Sequence, residues 1–171
     1  MTDYETRIDC TNSNVGSPTV LPSTTLGVFN ATQSYNVTPI IGDDINCVFS
    51  NKRTSPRIRL TKALGGPRYV STDQFVLEVR NAANSSTLAT VATTTGTGST
   101  VSTGTGQYIA TTGTTYTLRE VMAGGSGSTL ASYITAYSCI NNATGLTTSG
   151  SATNFSFTAA KYDDLECTFT N

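Results

Sequence analysis

The chain is 171 residues long, has no histidine or tryptophan, is 12% charged and 37% hydrophobic, and sets ten basic against eleven acidic side chains for a net charge of −1. A balance this even makes no positive field for a phosphate backbone or an anionic membrane, which argues against nucleic acid as a partner, and the lack of histidine removes the base of a Ser-His-Asp triad. Thr, Ser, Gly and Asn dominate the remainder, residues of strands and turns, so the expected fold class is all-β with little helix.

The first predicted strand, Tyr4 to Cys10, has a counterpart in Tyr133 to Cys139. After each comes a Ser/Thr/Asn/Gly-rich connection and then an alternating strand, around Leu26 to Val37 in the first copy and Phe155 to Ala159 in the second. Each copy closes on one phrase. Asp43-Asp44-Ile45-Asn46-Cys47-Val48-Phe49-Ser50-Asn51 and Asp163-Asp164-Leu165-Glu166-Cys167-Thr168-Phe169-Thr170-Asn171 match in register, and a self-match of this kind marks a repeat array. Arg57 to Val121 has no earlier partner. Residues 1–51 therefore read as the C-terminal half of a preceding repeat, and 52–171 as a complete repeat of about 120 residues, a usual size for one domain. The chain is expected to be a slice of a longer tandem protein. Its first residues lack the basic and apolar regions of a signal peptide, and no apolar run reaches the roughly 20 residues that cross a bilayer, so any export signal is expected outside this stretch and no membrane insertion within it.

Four cysteines occupy two matching places, and the repeat selects Cys10–Cys47 and Cys139–Cys167 among the three connectivities that four cysteines allow. Two disulfides imply an oxidising compartment, the periplasm or the cell exterior. Closing the loop from Cys139 to Cys167 is worth about 3–4 kcal/mol in the chain-entropy model. Buried free thiols are the plainer alternative; zinc is disfavoured because neither Cys-x-x-Cys nor histidine is present.

Within the complete repeat, Arg57 to Leu64 alternates until Gly65-Gly66-Pro67 stops it, and Gln74 to Arg80 alternates likewise; the two are expected as sheet neighbours. Leu88 to Thr94 is a weaker strand, Gly96 to Gly106 a flexible low-complexity connection, and Gln107 to Ala110 a short strand. Thr115 to Val121 follows, then a Gly/Ser loop, then Tyr133 to Cys139, Asn154 to Ala159 and Leu165 to Phe169. Seven or eight short strands separated by turns describe a β-sandwich.

No phosphate loop or helix–loop–helix calcium set is present, and no metal or cofactor is expected. The adjacent aspartates at 43–44 and 163–164 read as turns rather than as a cation site. Asn30, Asn36, Asn84, Asn142 and Asn154 open Asn-x-Ser/Thr triplets, which so Thr-rich a chain produces by chance. One polar set stands out. Lys62 shares strand parity with Ile58 and Leu60, Glu120 with Tyr116 and Leu118, and Asn171 with Cys167 and Phe169, so the pleat turns an amine, a carboxyl and a carboxamide toward the apolar face of three strands. Groups buried there must satisfy one another, either as a partly solvated ion pair beside a strand-terminal Asn or through a covalent bond.

Ile58-Arg59-Leu60-Thr61-Lys62, then Phe75, then Tyr116-Thr117-Leu118-Arg119-Glu120, and a last strand closing on Asn171, resemble the Cna B-type (SpaA-like, prealbumin-fold) domains of bacterial surface proteins. The resemblance covers 56–171 and implies an immunoglobulin-like (prealbumin-like) β-sandwich. In many members a first-strand Lys forms a spontaneous isopeptide bond with a last-strand Asn or Asp, helped by a Glu, which here implies Lys62, Asn171 and, as proton shuttle, Glu120. Lys62 to Gly66, Asp73 to Phe75 and Cys167 to Asn171 are similar more specifically to disulfide-bearing repeats of very large surface proteins of Gram-negative bacteria. The Gly/Ser loop after Glu120 departs from the Pro-Gly-Tyr turn common in the family, and the cysteines already staple the last strand.

The expected role is structural: a repeat of an extracellular fibre, stalk or adhesin, not an enzyme beyond a single autocatalytic turnover, with neighbouring repeats or copies of itself as partners. One alternative is a filament subunit that exchanges strands through residues 1–51, with Lys62 bonding in trans to Asn51 of another copy. Another is binding of a host or cell-surface ligand through the loops Thr94 to Gly106 and Ala123 to Thr129, which lack the aromatic and Arg anchors of hot spots.

Overall fold

Alternation decides which strands pack and which only pair. The computed structural model describes residues 4–22, 34–82 and 87–171, and divides the chain into Met1–Thr54 and Ser55–Asn171.

In the first unit β1 (Tyr4–Asn12) pairs antiparallel with β2 (Ile45–Arg53), with Cys10 opposite Cys47 and Thr6 opposite Asn51. The Cys10–Cys47 disulfide joins Cα atoms 4.1 Å apart, the close approach of a non-hydrogen-bonded antiparallel pair. Residues 26–33 of the strand expected around Leu26 to Val37 lie outside the described residues, as do Asn30 and Asn84; 34–37 are irregular.

The second unit is a sandwich of two sheets. Its strands are β3 (Arg57–Ala63), β4 (Phe75–Asn81), β5 (Leu88–Thr93), β6 (Tyr108–Ile109), β7 (Thr115–Met122), β8 (Ala136–Asn141), β9 (Leu146–Gly150), β10 (Asn154–Thr158) and β11 (Asp164–Thr170). One sheet runs β10-β7-β4-β5 and the other β6-β3-β11-β8-β9. Ile58, Leu60, Leu77, Leu118 and Phe169 are fully buried between them, each worth about 1.5–3 kcal/mol of transfer free energy. The first and last strands, β3 and β11, lie side by side and parallel, with Lys62 opposite Phe169 and Ala63 opposite Thr170. Cys139 and Cys167 sit opposite each other on β8 and β11 and are disulfide-bonded.

The structure departs from the sequence reading at four points. Arg57 to Leu64 and Gln74 to Arg80 are not sheet neighbours: β3 has β11 and β6 on its two sides, and the connection from Gly65 carries the chain across to the other layer. β9 was not foreseen, because a strand with no buried residue shows no alternation for a sequence reading to detect. The 94–106 segment is held, not loose. The Thr105 hydroxyl accepts from Leu60 N at 2.9 Å, Thr105 N donates to Leu60 O at 2.7 Å, Gly104 bridges Thr61, and Arg68 donates to the carbonyls of Gly98 at 3.1 Å, of Thr95 at 3.2 Å and of Thr100. Tyr133, expected inside a strand, instead follows a single 3-10 turn at Leu130–Ser132.

Candidate functional site: a buried amine, carboxyl and carboxamide

Lys62 on β3 and Glu120 on β7 face each other across the sandwich, Nζ to Oε1 2.9 Å, with neither side chain exposed to solvent. Asn171, one residue beyond β11, is fixed by its backbone: its N–H donates to Ala63 O at 3.3 Å and its carbonyl accepts from Gly65 N at 2.7 Å. Its Nδ2 donates to the same Glu120 Oε1 at 3.4 Å. Lys62 also donates to Phe169 O at 3.4 Å and lies 4.6 Å from the centre of the Phe75 ring. Glu120 Oε2 and Asn171 Oδ1 are buried with no hydrogen-bond partner.

This arrangement favours uncharged forms. Burial pushes the Lys62 amine below the ordinary lysine range and the Glu120 carboxyl above the ordinary carboxylate range, each against the pull of the other's charge; the Arg68 guanidinium lowers the amine further. A neutral amine is a nucleophile, and a protonated carboxyl is a donor for a carbonyl oxygen. The unpartnered Oε2 and Oδ1 are the atoms that such a proton would serve.

Above this pocket lies a contact network that sequence reasoning missed. Asp73, with no exposed surface, accepts from Val70 N at 3.2 Å, Gly127 N at 2.8 Å, Ser128 N at 3.1 Å, the Ser128 hydroxyl and the Tyr133 hydroxyl at 2.7 Å. Burial alone would raise its pKa, but these donors outweigh it and hold Asp73 at about 2. The Tyr133 ring meets Phe75 edge-on, centroids 5.1 Å apart. On the outer face of β4, Glu78 is held at about 2, chiefly by Arg80 with Arg119 opposite it on β7.

The aspartate pairs make turns. Asp163 accepts from Asn141 Nδ2 at 2.7 Å and Ala160 N at 2.8 Å, while Asn141 Oδ1 takes Asp164 N and Ala143 N at 3.1 Å each. The first unit repeats this with Asp43 and Asn12: Asn12 Nδ2 donates to Asp43 Oδ1 and Ile40 N to Asp43 Oδ2, both at 2.8 Å, and Asp44 N donates to Asn12 Oδ1 at 3.1 Å. The available signal was Cys-x-Asn, two residues past the matched segment in both copies. Asn51 is exposed and accepts from the Thr6 hydroxyl at 2.8 Å.

A family model described as the prealbumin-like fold domain matches residues 1–53 and 57–171. Comparison with curated proteins returned no match. Among solved structures, the major pilin from Streptococcus pyogenes is similar at 14% identity over 77% of this chain and 55% of that one, with a TM-score of 0.41. A variant of that pilin is similar at 15% identity over 84% and 56%, with a TM-score of 0.40. The chain spans about half the length of the solved chains it matches.

Proposed function

The chain belongs to the prealbumin-like fold domain family, and from that premise we propose that it is a structural module of an extracellular fibre, stalk or adhesin whose second unit closes itself with a Lys62–Asn171 isopeptide bond. The observation that carries this reading is that Lys62 Nζ and Asn171 Nδ2 both meet Glu120 Oε1, at 2.9 and 3.4 Å, in a pocket where the Lys62 and Glu120 side chains have no solvent exposure.

The neutral Lys62 amine attacks Asn171 Cγ while Glu120 gives its proton to Oδ1. Glu120 then takes a proton from the attacking nitrogen and passes it to the leaving nitrogen. The Cγ–Nδ2 bond breaks, Oδ1 returns its proton to Glu120 as the carbonyl re-forms, and one ammonia leaves. Nothing is oxidised or reduced, and the reaction happens once per molecule. The two disulfides support an oxidising, extracellular location.

Intact mass after reduction tests the bond. The expected value is the sequence mass less one ammonia, with a branched Lys62–Asn171 peptide after proteolysis; the full sequence mass overturns it.

A second reading draws on the first unit, where β2 corresponds to β11 but among the described residues pairs only with β1. A β3-type strand from another copy would pair there and bring its lysine toward Asn51. A ladder of covalent multimers under denaturing conditions supports this reading, and a single species refutes it.

A further inference from the structure

The pocket's dryness has an identifiable fastening. Lys62 Nζ rests 4.6 Å from the centre of Phe75; Phe75 is covered edge-on by Tyr133 at 5.1 Å; and the Tyr133 hydroxyl donates to Asp73 Oδ2 at 2.7 Å. The same carboxylate gathers Gly127 N and both donors of Ser128, which pins the Gly/Ser loop down at the residues just before Phe75. Ser126 reinforces it: its hydroxyl accepts from Gln74 N and donates to Gln74 O, each at 3.1 Å. Without such anchors a segment so rich in Gly and Ser would be mobile. Asp73 has no surface exposure and touches neither Lys62, Glu120 nor Asn171 through any hydrogen bond described. Its five donors exceed what a turn aspartate needs to close Val70–Asp73.

We propose that Asp73 and Tyr133 form a latch that clamps the 123–133 loop over Phe75 and excludes water from the Lys62 amine, making Asp73 a positioning residue for cross-link formation. The inference rests on the Lys62–Asn171 reading for its purpose, but not for its measurement. The groups facing Lys62 are Glu120 from β7, the Phe169 carbonyl and Asn171 from the β11 end, the Phe75 ring from β4, and Arg68 from the connection after β3. The latch leaves all of these in place. It acts by desolvation, the largest influence on the amine, which favours its neutral form as the Arg68 charge also does.

The test uses the full chain in an Asn171→Ala background, where no Lys62–Asn171 bond can form, and follows Lys62 Nζ by nitrogen-15 NMR across pH. Tyr133→Ala, which removes the covering ring, and Asp73→Asn, which releases the loop, are expected to move the Lys62 titration up toward that of an ordinary lysine. Tyr133→Phe keeps the ring and loses only the hydroxyl, and is expected to fall between Tyr133→Ala and the background chain. With Asn171 restored, Tyr133→Ala is expected to cross-link about tenfold more slowly at neutral pH and to recover at alkaline pH, because each unit of upward movement in an amine pKa thins the neutral form tenfold. Variants that lower the melting temperature while leaving the Lys62 titration and the pH dependence of cross-linking unchanged overturn the latch. If the parent chain never loses ammonia, the cross-linking reading fails, and the titrations in Asn171→Ala still decide the latch by themselves.

Discussion

Replacing Glu120 by Gln keeps the size of the side chain and removes its proton chemistry, which separates the two jobs assigned to it. The variant is expected to retain its ammonia and to lose the restraint that the bond places on the unfolded chain. A bond from Lys62 to Asn171 encloses about 110 residues, for which the chain-entropy model gives about 5 kcal/mol. The Cys139–Cys167 disulfide already shortens that loop to about 80 residues, but the dependence is logarithmic, so about 4.5 kcal/mol remains. Set against an unfolding entropy of about 2.1 cal/mol/K per residue over the roughly 120 residues of the second unit, this is a fall of about 18 °C in melting temperature. A second penalty adds to it, because the Gln variant leaves a buried amine facing a carboxamide. Lys62→Met fills the same space without an amine. It also lacks the bond, yet is expected to melt above Glu120→Gln. Calorimetry under non-reducing conditions, paired with intact mass, gives both numbers. A Glu120→Gln protein that loses ammonia as the parent does, or a Lys62→Met protein that melts with the parent, refutes the reasoning.

Acid is expected to weaken the second unit below about pH 4.5, with two carboxylates contributing in full at neutral pH. Asp73 and Glu78 sit at about 2 in the fold against ordinary values of 3.8 and 4.5. Since both are depressed, their contribution is complete above those ordinary values and drains away as pH falls toward 2; urea midpoints followed down in pH should show it, and Glu78→Gln should flatten the slope. Asn141→Ala removes a donor to Asp163 and the acceptor for Asp164 N and Ala143 N, at an expected cost of about 1–2 kcal/mol by chemical denaturation. Gly104→Ala builds a Cβ 2.8 Å from Leu60 O, and since backbone cannot move aside, a loss of about 1–3 kcal/mol is expected, with faster amide exchange at Thr105.

Period-two patterning carried much of this fold into view, because a strand between two layers must sort its side chains. Ile58, Leu60 and Lys62 share one face of β3, as Tyr116, Leu118 and Glu120 share one face of β7. Patterning has no such hold on β9, which buries nothing, nor on the crossing from β3 to β4, where layer assignment depends on which neighbours β3 already has. Asp73 stands in the sequence as part of a family resemblance with no visible chemistry, since four of its five donors come from residues more than fifty positions away and only folding assembles them. The Asn141–Asp163 clasp was half visible: the aspartates stood out as a pair, but their asparagine partner lay beyond the matched segment. Low complexity misled at Gly96 to Gly106, where Arg68 and the backbone of Leu60, both earlier in the chain, supply the order.

Because β3 and β11 point the same way, the second unit begins at one pole of its sandwich and finishes at the other. A strand of seven residues sets those poles about 23 Å apart at 3.3 Å per residue. A pull on both poles slides the two neighbours past each other lengthwise, so the rungs joining them share the load at once instead of opening one after another.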